Sequence, residues 1–433
     1  MIEGFFKLSK NNTNVKTEIM AGITTFMTMA YILVVNPLTL KDAGMNFGAV
    51  FTATALSAVI ATLVMAFVAN LPFALAPGMG LNAFFAYTVV LGSLQVSWEF
   101  ALTAVFLEGI IFIILTFLNV REAIINAIPL SLKKAVSVGI GLFIAFIGLF
   151  NSNVVVIGDG IPLKLGHITS GSALLAIIGL IITGLLLAKK VKGALLYGIL
   201  ITTVIGIPMG ITKLPEGLKF ISAPPSLEPI FFKFDFSQIF SMKMLIVLFT
   251  FLFVDMFDTV GTLVGVSTKA GMLDKEGNVP RAKQALFADA IGTTVGAVLG
   301  TSTVTTYVES ASGVAEGGRT GLTALATGAM FALALFLSPL FTMIPSAATA
   351  PALILVGLFM MSPIKDINLE DFTEAIPAFL TIIMMPLAYS IAEGIVFGMI
   401  SYVLLKTLTG RFKEVSPLMY ILAILFVVKF FIV

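Results

Sequence analysis

GTSTVTTYVESASGVAEGGRTG, residues 300–321, lies between two long apolar runs and is not itself apolar. Thr303, Thr305, Thr306, Ser310 and Ser312 surround Glu309. From Thr303 to Val308 the chain alternates β-branched and aromatic residues as a short strand does, and from Glu309 onward the residues are small and helix-compatible. The pattern predicts a broken segment, extended first and then a half-helix. Irregular backbone survives at bilayer depth only where protein or a water-filled cavity satisfies its polar groups, so the break marks a candidate binding site. The plainer alternative is a polar loop between two helices, and a second interrupted run in the first half of the chain counts against it.

Composition sets the class. With 433 residues, 58% hydrophobic, 11% charged and a mean hydropathy of +1.09, the chain has room for a dozen or more spans of about 20 residues. It reads as an all-α polytopic membrane protein whose first partner is the lipid bilayer. A net charge of +2, with the basic residues in loops, offers no patch for nucleic acid. There is no cysteine and a single histidine, His167, in a loop, so disulfides, thiolate or histidine metal sites and a catalytic triad are not available. No metal or cofactor is expected. Lys7, Lys10 and Lys16 precede a first apolar run without a cleavage-like end, which predicts a cytoplasmic tail and not a signal peptide. The sequon Asn11-Asn12-Thr13 in that tail is read as chance.

Apolar runs at about 20–38, 49–70, 73–92, 98–119, 129–150, 171–188, 193–212, 243–266, 284–300, 303–317, 320–343, 349–363, 374–389 and 391–409 make fourteen segments, and a last run, 417–433, is left unplaced. With the N-terminus inside, eighteen Lys and Arg fall on the cytoplasmic side against six outside, with Lys429 unassigned. Ile128-Pro129 is followed twelve residues after the proline by Gly141-Leu142-Phe143, and Ile344-Pro345 by Gly357-Leu358-Phe359 at the same spacing. Tyr197-Gly198-Ile199 and Phe397-Gly398-Met399 are a fainter echo. Seven segments per half is an odd number, so the halves are expected to be inverted repeats. The partner of the 303–317 break is then segment 3, FALAPGMGLNAFFAY at 73–87, and it is interrupted too. Pro77 removes a backbone donor and Gly78 and Gly80 loosen the chain just before Asn82, which predicts a half-helix start with free N–H groups. The alternative there is a glycine packing notch between helices. Gly78-x-Gly80-x-x-Ala83 also fits a loose dinucleotide fingerprint, but no soluble strand-helix-strand unit surrounds it.

Acids deep in the apolar segments are Glu108, Asp255, Asp258, Asp289 and Glu309, with no Lys or Arg equally deep. A charge at the bilayer centre costs about 2.5–3.5 kcal/mol, so these side chains face a cavity or the bundle interior. Asp255 and Asp258 are three apart and share a helical face. Glu108 and Asp289 stand alone on their helices and suit carboxylates satisfied by Thr and Ser hydroxyls; Glu374 and Glu393 lie near segment ends. An acid-only cavity repels anions and receives protons, cations or neutral molecules rich in N–H donors, whose paired N–H groups suit a carboxylate. Buried acids of this kind are also candidate proton carriers.

Four stretches, ITTFMTMAYILVVNPLTL (23–40), ALAPGMGLNAFFAYTVV (74–90), FVDMFDTVGTLVGVSTKAGMLD (253–274) and TSTVTTYVESASGVAEGGRTGLTAL (301–325), resemble the AzgA-like adenine/guanine/hypoxanthine permeases of the nucleobase/cation symporter superfamily. The resemblance covers essentially the whole chain. It implies fourteen segments in two inverted seven-segment repeats, with short strands breaking segments 3 and 10. It also implies a core domain at 1–125 and 241–345 that moves against a gate domain at 126–240 and 346–433. The implied activity is symport of a purine nucleobase with a proton across the cytoplasmic membrane by alternating access. Carried over by motif, substrate binding falls to Glu309, Ser310, Asp255 and Asn82, and proton coupling to Asp255, Asp258 and Glu309. The xanthine/uracil branches carry a glutamate in place of Asp255 and Asn or Gly in place of Ser310. Other readings on the same fold are a xanthine/uracil carrier or an anion carrier for sulfate or bicarbonate; a membrane aspartic protease is more remote, since the chain lacks its Gly-x-Gly-Asp setting. The preferred purine, proton against sodium as coupling ion, and a homodimer against a monomer stay open.

Overall fold

The computed structural model describes residues 2–432 apart from 93, 119–128, 159, 161, 215–219, 270 and 274–278. The expected domain boundary at 125/126, Ile128 of the repeated signature, and Arg121, Lys219 and Lys275 of the charge count lie outside the described residues. In chain order the helices begin with α1 (Ile2–Phe6), α2 (Val15–Met29), α3 (Ile32–Asp42), α4 (Phe47–Val64), α5 (Met79–Ala83) and α6 (Trp98–Leu118). Next come α7 (Leu130–Asn151), α8 (Gly171–Ala188), α9 (Ala194–Gly206), α10 (Met242–Lys269), α11 (Ala282–Leu299) and α12 (Ser310–Ala315). The chain ends with α13 (Gly321–Ala334), α14 (Ser338–Thr342), α15 (Ser346–Met360), α16 (Phe372–Leu387), α17 (Ile391–Leu408) and α18 (Pro417–Ile432). Fourteen of these have seven residues or more, and among the described residues eight helical stretches are long and apolar enough to cross a membrane. The chain is an all-α, multi-pass membrane protein.

The first apolar run is not one helix. It divides between α2 and α3 at Ala30–Tyr31, and Pro37 within α3 has no N–H to give to the turn before it. The run left unplaced is α18, which packs on α17 and sets Phe426 against Phe249 of α10. After α7 a small hairpin, β2 (Val155–Ile157) with β3 (Leu163–Leu165), was not anticipated. The two interrupted runs contain strands: β1 (Leu75–Pro77) precedes α5, and β4 (Val304–Thr306) precedes α12.

Packing divides the helices into two sets. In one, α6 lies on α11, α4 on α11 and α13, and α2 on α13. In the other, α7 lies on α15 and α16, α16 on α17, and α8 on α9 and α15. The repeated signature has a physical meaning here. A Cβ added to Gly141 would come 2.6 Å from the Gly357 carbonyl oxygen, and one added to Gly357 would strike the Gly141 carbonyl oxygen. Helices α7 and α15 therefore cross with their backbones in contact, which only glycine allows on both sides. The fainter echo behaves alike: Gly198 is pressed against the Thr183 hydroxyl and Gly398 against the Thr381 hydroxyl.

Candidate functional site

Strands β1 and β4 pair antiparallel, with Leu75 opposite Thr306, Ala76 opposite Thr305 and Pro77 opposite Val304. The ladder extends at each end through Gly78 N–H to the Thr303 carbonyl (3.0 Å) and Tyr307 N–H to the Ala74 carbonyl (2.9 Å). Two three-residue strands leave their outer edges open, and an unsatisfied backbone group costs several kcal/mol at bilayer depth. Side chains close those edges. Thr62 Oγ1 accepts from Leu75 N–H (3.0 Å), Asp289 Oδ1 from Thr306 N–H (3.1 Å) and Ser310 Oγ from Ala74 N–H (3.0 Å). The Thr293 hydroxyl donates to the Val304 carbonyl (2.9 Å) and the Tyr307 hydroxyl to the Pro77 carbonyl (2.5 Å). This explains why the apolar helices around the break carry threonines facing inward.

The strands aim the starts of α5 and α12 toward the same region. Glu309 is the residue just before α12, and Asp258 on α10 lies beside the start of α5, its Oδ2 3.7 Å from where a Cβ of residue 78 would sit. Both carboxylates are half-buried, whereas Asp255, Asn82 and Ser310 are fully buried. Tyr31, in the break between α2 and α3, donates its hydroxyl to Glu309 Oε1 at 2.8 Å. Gly78 and Gly80 are also packing notches: added Cβ atoms would meet Thr305 Cγ2 at 2.5 Å and Ile140 Cγ2 at 2.8 Å.

Behind these groups lies a hydroxyl-rich layer. Thr259 Oγ1 is 3.0 Å from Asp255 Oδ1, 3.0 Å from Asp289 Oδ2 and 2.8 Å from Thr305 Oγ1. Thr259 has one hydrogen to give, so it can donate to only one of the two carboxylates. Thr303 donates to Glu108 Oε2 at 2.7 Å, and the Ser302 hydroxyl donates to Asn82 Oδ1. Glu108 and Asp289 are thus met by hydroxyl and amide donors, as their isolation on single helices suggested.

Of the residues named from sequence, Glu309 and Asp258 reach an accessible surface, while Asp255, Asn82 and Ser310 are held in hydrogen bonds within the layer behind it. Tyr31, Tyr307 and Thr259 were missed. The two tyrosines carried a signal: the chain has only seven, and a phenol inside an apolar run needs a partner for its hydroxyl. Glu18 carried none. It is fully buried and accepts from the N–H groups of Arg319, Thr320 and Thr323 at 2.9, 3.2 and 3.1 Å, which caps the start of α13. Lys406, counted from sequence among the loop cations, instead lies in the last turn of α17 with its side chain buried among carboxylates. Among the described residues no group of three or more His, Cys, Asp or Glu is placed to hold a metal ion.

The fold is shared with the transmembrane domain of the cyanobacterial bicarbonate transporter BicA, at a TM-score of 0.67 and 16% identity over 88% of this chain and 97% of that one. The sequence is 45% identical to the adenine permease AdeP of Escherichia coli, over 99% of this chain and 96% of the relative. It is 48% identical to the guanine/hypoxanthine permease PbuG of Bacillus subtilis, over 98% of both. The model of a permease family (Xan_ur_permease) matches residues 16–397. With that match and these full-length relatives, the chain belongs to this permease family and is a membrane transporter, not an enzyme.

Proposed function

We propose that the protein is a symporter that imports a purine nucleobase, such as adenine, guanine or hypoxanthine, together with a proton. The observation that carries this reading is the pair of half-buried carboxylates, Glu309 and Asp258, at the starts of the two short helices α12 and α5. A carboxylate can accept two N–H bonds from the edge of a heterocycle, and the N–H groups at the start of α5 can meet its ring nitrogens, those of Ser310, Ala311 and Ser312 on α12 being taken by the preceding turn. Glu309, with Tyr31 occupying Oε1, keeps Oε2 for the base. Ser310 and Asn82 act by holding the strand pair beneath it, and Asp255 completes the polar floor. The full-length likeness to adenine and guanine/hypoxanthine permeases supports the same substrate class.

Residues 1–125 and 241–345 would form the core and 126–240 and 346–433 the gate, with the N-terminus in the cytoplasm. The two packing sets support this division for the helices, while residues 222–235 of the gate range bond to Thr52, Thr103, Val298, Phe336 and Ser338 of the core. An inverted repeat is supported by the antiparallel pairing of β1 with β4 and by the contact of the signature glycines, because equivalent residues touch where a two-fold axis passes. Asp255, Asp258 and Glu309 are the proposed proton carriers. One proton moving inward gains about 2.3 kcal/mol per 100 mV, which sustains roughly fifty-fold accumulation of a neutral base. The anion alternative takes support from the likeness to a bicarbonate transporter, but carboxylates at both half-helix starts repel an anion. Uptake of labelled adenine in proteoliposomes, with purines, uracil, xanthine and bicarbonate as competitors, tests the reading. Competition by purines and collapse with an uncoupler are expected; competition by bicarbonate alone would overturn it.

A further inference from the structure

Apart from the bonds that tie residues 222–235 to the core at Thr52, Thr103, Val298, Phe336 and Ser338, two polar side-chain contacts among the described residues join the packing sets, and they lie at opposite ends of the molecule. At one end Tyr87, which follows α5, donates its hydroxyl to Asp42 Oδ2 at 2.7 Å and accepts from Asn151 Nδ2 at 3.0 Å. Asp42 ends α3 and Asn151 ends α7, so the chain of bonds runs from one set to the other. Tyr389, after α16, packs edge-on against Tyr87 and Phe143 with centroids 5.9 and 5.3 Å away. It does so with φ at +52°, a backbone that a bulky residue keeps only where its contacts hold it. Beside this contact is a small pocket of about 20 Å³ lined by Thr39, Asp42, Ser346 and Thr349, roomy enough for a water. At the other end Lys192, between α8 and α9, meets Glu316, just after α12, at 2.5 Å. The adjoining Gly193 is packed on Met27 of α2. Thr13, just before α2, bonds to the Gly317 carbonyl, so this is the end where the first segment starts, and Asp42 marks the end where it finishes.

We infer that Asp42–Tyr87–Asn151 and Lys192–Glu316 are opposed latches across the cleft between the two bodies, and that each must open for the carrier to face its own side. The inference rests on the two-body reading above. The latches differ in strength. Tyr87 is 5% exposed, and its bonds are shielded and backed by rings. Lys192 and Glu316 are 54% and 34% exposed, and such pairs hold little against water and salt. The Tyr87 end is therefore the tighter seal, and the unloaded carrier opens more readily at the Lys192 end.

The chain has no cysteine, so single reporters can be placed cleanly, Thr349→Cys at the Tyr87 end and Met27→Cys at the Lys192 end. Rates of thiol labelling are measured on purified protein in nanodiscs. Asn151→Ala should speed labelling at Thr349→Cys about fivefold and slow it at Met27→Cys. Lys192→Ala should do the opposite by a smaller factor, and the exchange Lys192→Glu with Glu316→Lys should restore the original rates. Tyr87→Phe, which keeps the ring, serves if Asn151→Ala fails to fold. Unchanged labelling, or both reporters moving in the same direction in either variant, would overturn the latches. Labelling needs no substrate. Opposed shifts in a protein that binds no purine would sink the substrate assignment alone, and parallel shifts with intact purine binding would sink the latches alone.

Discussion

Carboxylates at the strand crossing and carboxylates at the end of α17 are stabilised in opposite ways. At the crossing, Glu108, Asp255, Asp289 and Glu309 are met by the hydroxyls of Thr303, Thr259 and Tyr31 and by a backbone N–H. At the end of α17, Lys406 Nζ lies 2.6 Å from Glu414, 3.3 Å from Glu374 and 3.8 Å from Asp371, and Arg411 binds Asp371 and Glu414 at 2.6 and 2.7 Å. A hydroxyl partner steadies a carboxylate without cancelling its charge, so the acid remains able to take a proton or a ligand's N–H. A cation partner offsets the charge and occupies acceptor oxygens, so the acid is held ionised and is less ready to take a proton. The first region can change state if its acids act as proposed, and the second is held in one state.

Substitutions can break that contrast. The largest effect is expected for Glu309→Ala, which removes the acceptor at the start of α12. Purine binding, followed by scintillation proximity on purified protein, should fall by about a hundredfold or more, with Glu309→Gln keeping weak binding. Affinity unchanged in Glu309→Ala would move the site away from α12. Next comes Asp258→Asn, which should spare exchange of labelled for unlabelled base across proteoliposomes while losing uphill uptake under an acid-outside gradient. If uphill uptake persists without sodium, Asp258 does not carry the proton, and Asp255→Asn becomes the deciding variant.

The α17 cluster should respond in stability and not in coupling. Lys406→Met leaves Arg411 as the one cation among the three carboxylates and takes the partner from Glu374, and because these acids are partly exposed the loss should be about 1–3 kcal/mol, below that of a fully buried pair. It would be seen as a lower thermal midpoint with purine affinity unchanged. A change in affinity at unaltered stability would erase the distinction between the two regions.

The smallest effect concerns acid. The Thr373 hydroxyl and then Arg411 hold the Asp371 carboxyl well below the usual carboxylate range, and Arg411 and then Lys406 lower that of Glu414. Both groups bind protons more weakly folded than unfolded. Their contribution is therefore complete above about pH 4 and is lost as the pH falls through their folded values. Arg411→Ala should make the thermal midpoint less sensitive to acidification from pH 5 to 3, and an equal fall in both proteins would remove this cluster from the acid response.

Much of this molecule is legible in one dimension. The all-α, multi-pass class follows from composition and from the spacing of the apolar runs, because a bilayer demands about 20 apolar residues per crossing. The two breaks follow from Pro77 and from the polar run after Gly300, because irregular backbone at that depth must be enclosed. The deep acids stand out because charge is costly there. What the sequence left undecided is which oxygen meets which donor. Nothing in the spacing says that Tyr31 reaches across 278 positions to Glu309, that Glu18 caps a helix some 300 residues away, or that Lys406 turns inward. Asp255 and Asp258 look equivalent three residues apart on α10, yet one is sealed behind Thr259 and the other is half-open. Those outcomes depend on where separate segments cross. A polar atom in an apolar bundle takes whichever complementary atom the packing of distant helices brings within 3 Å, so its partner exists only once the chain is folded.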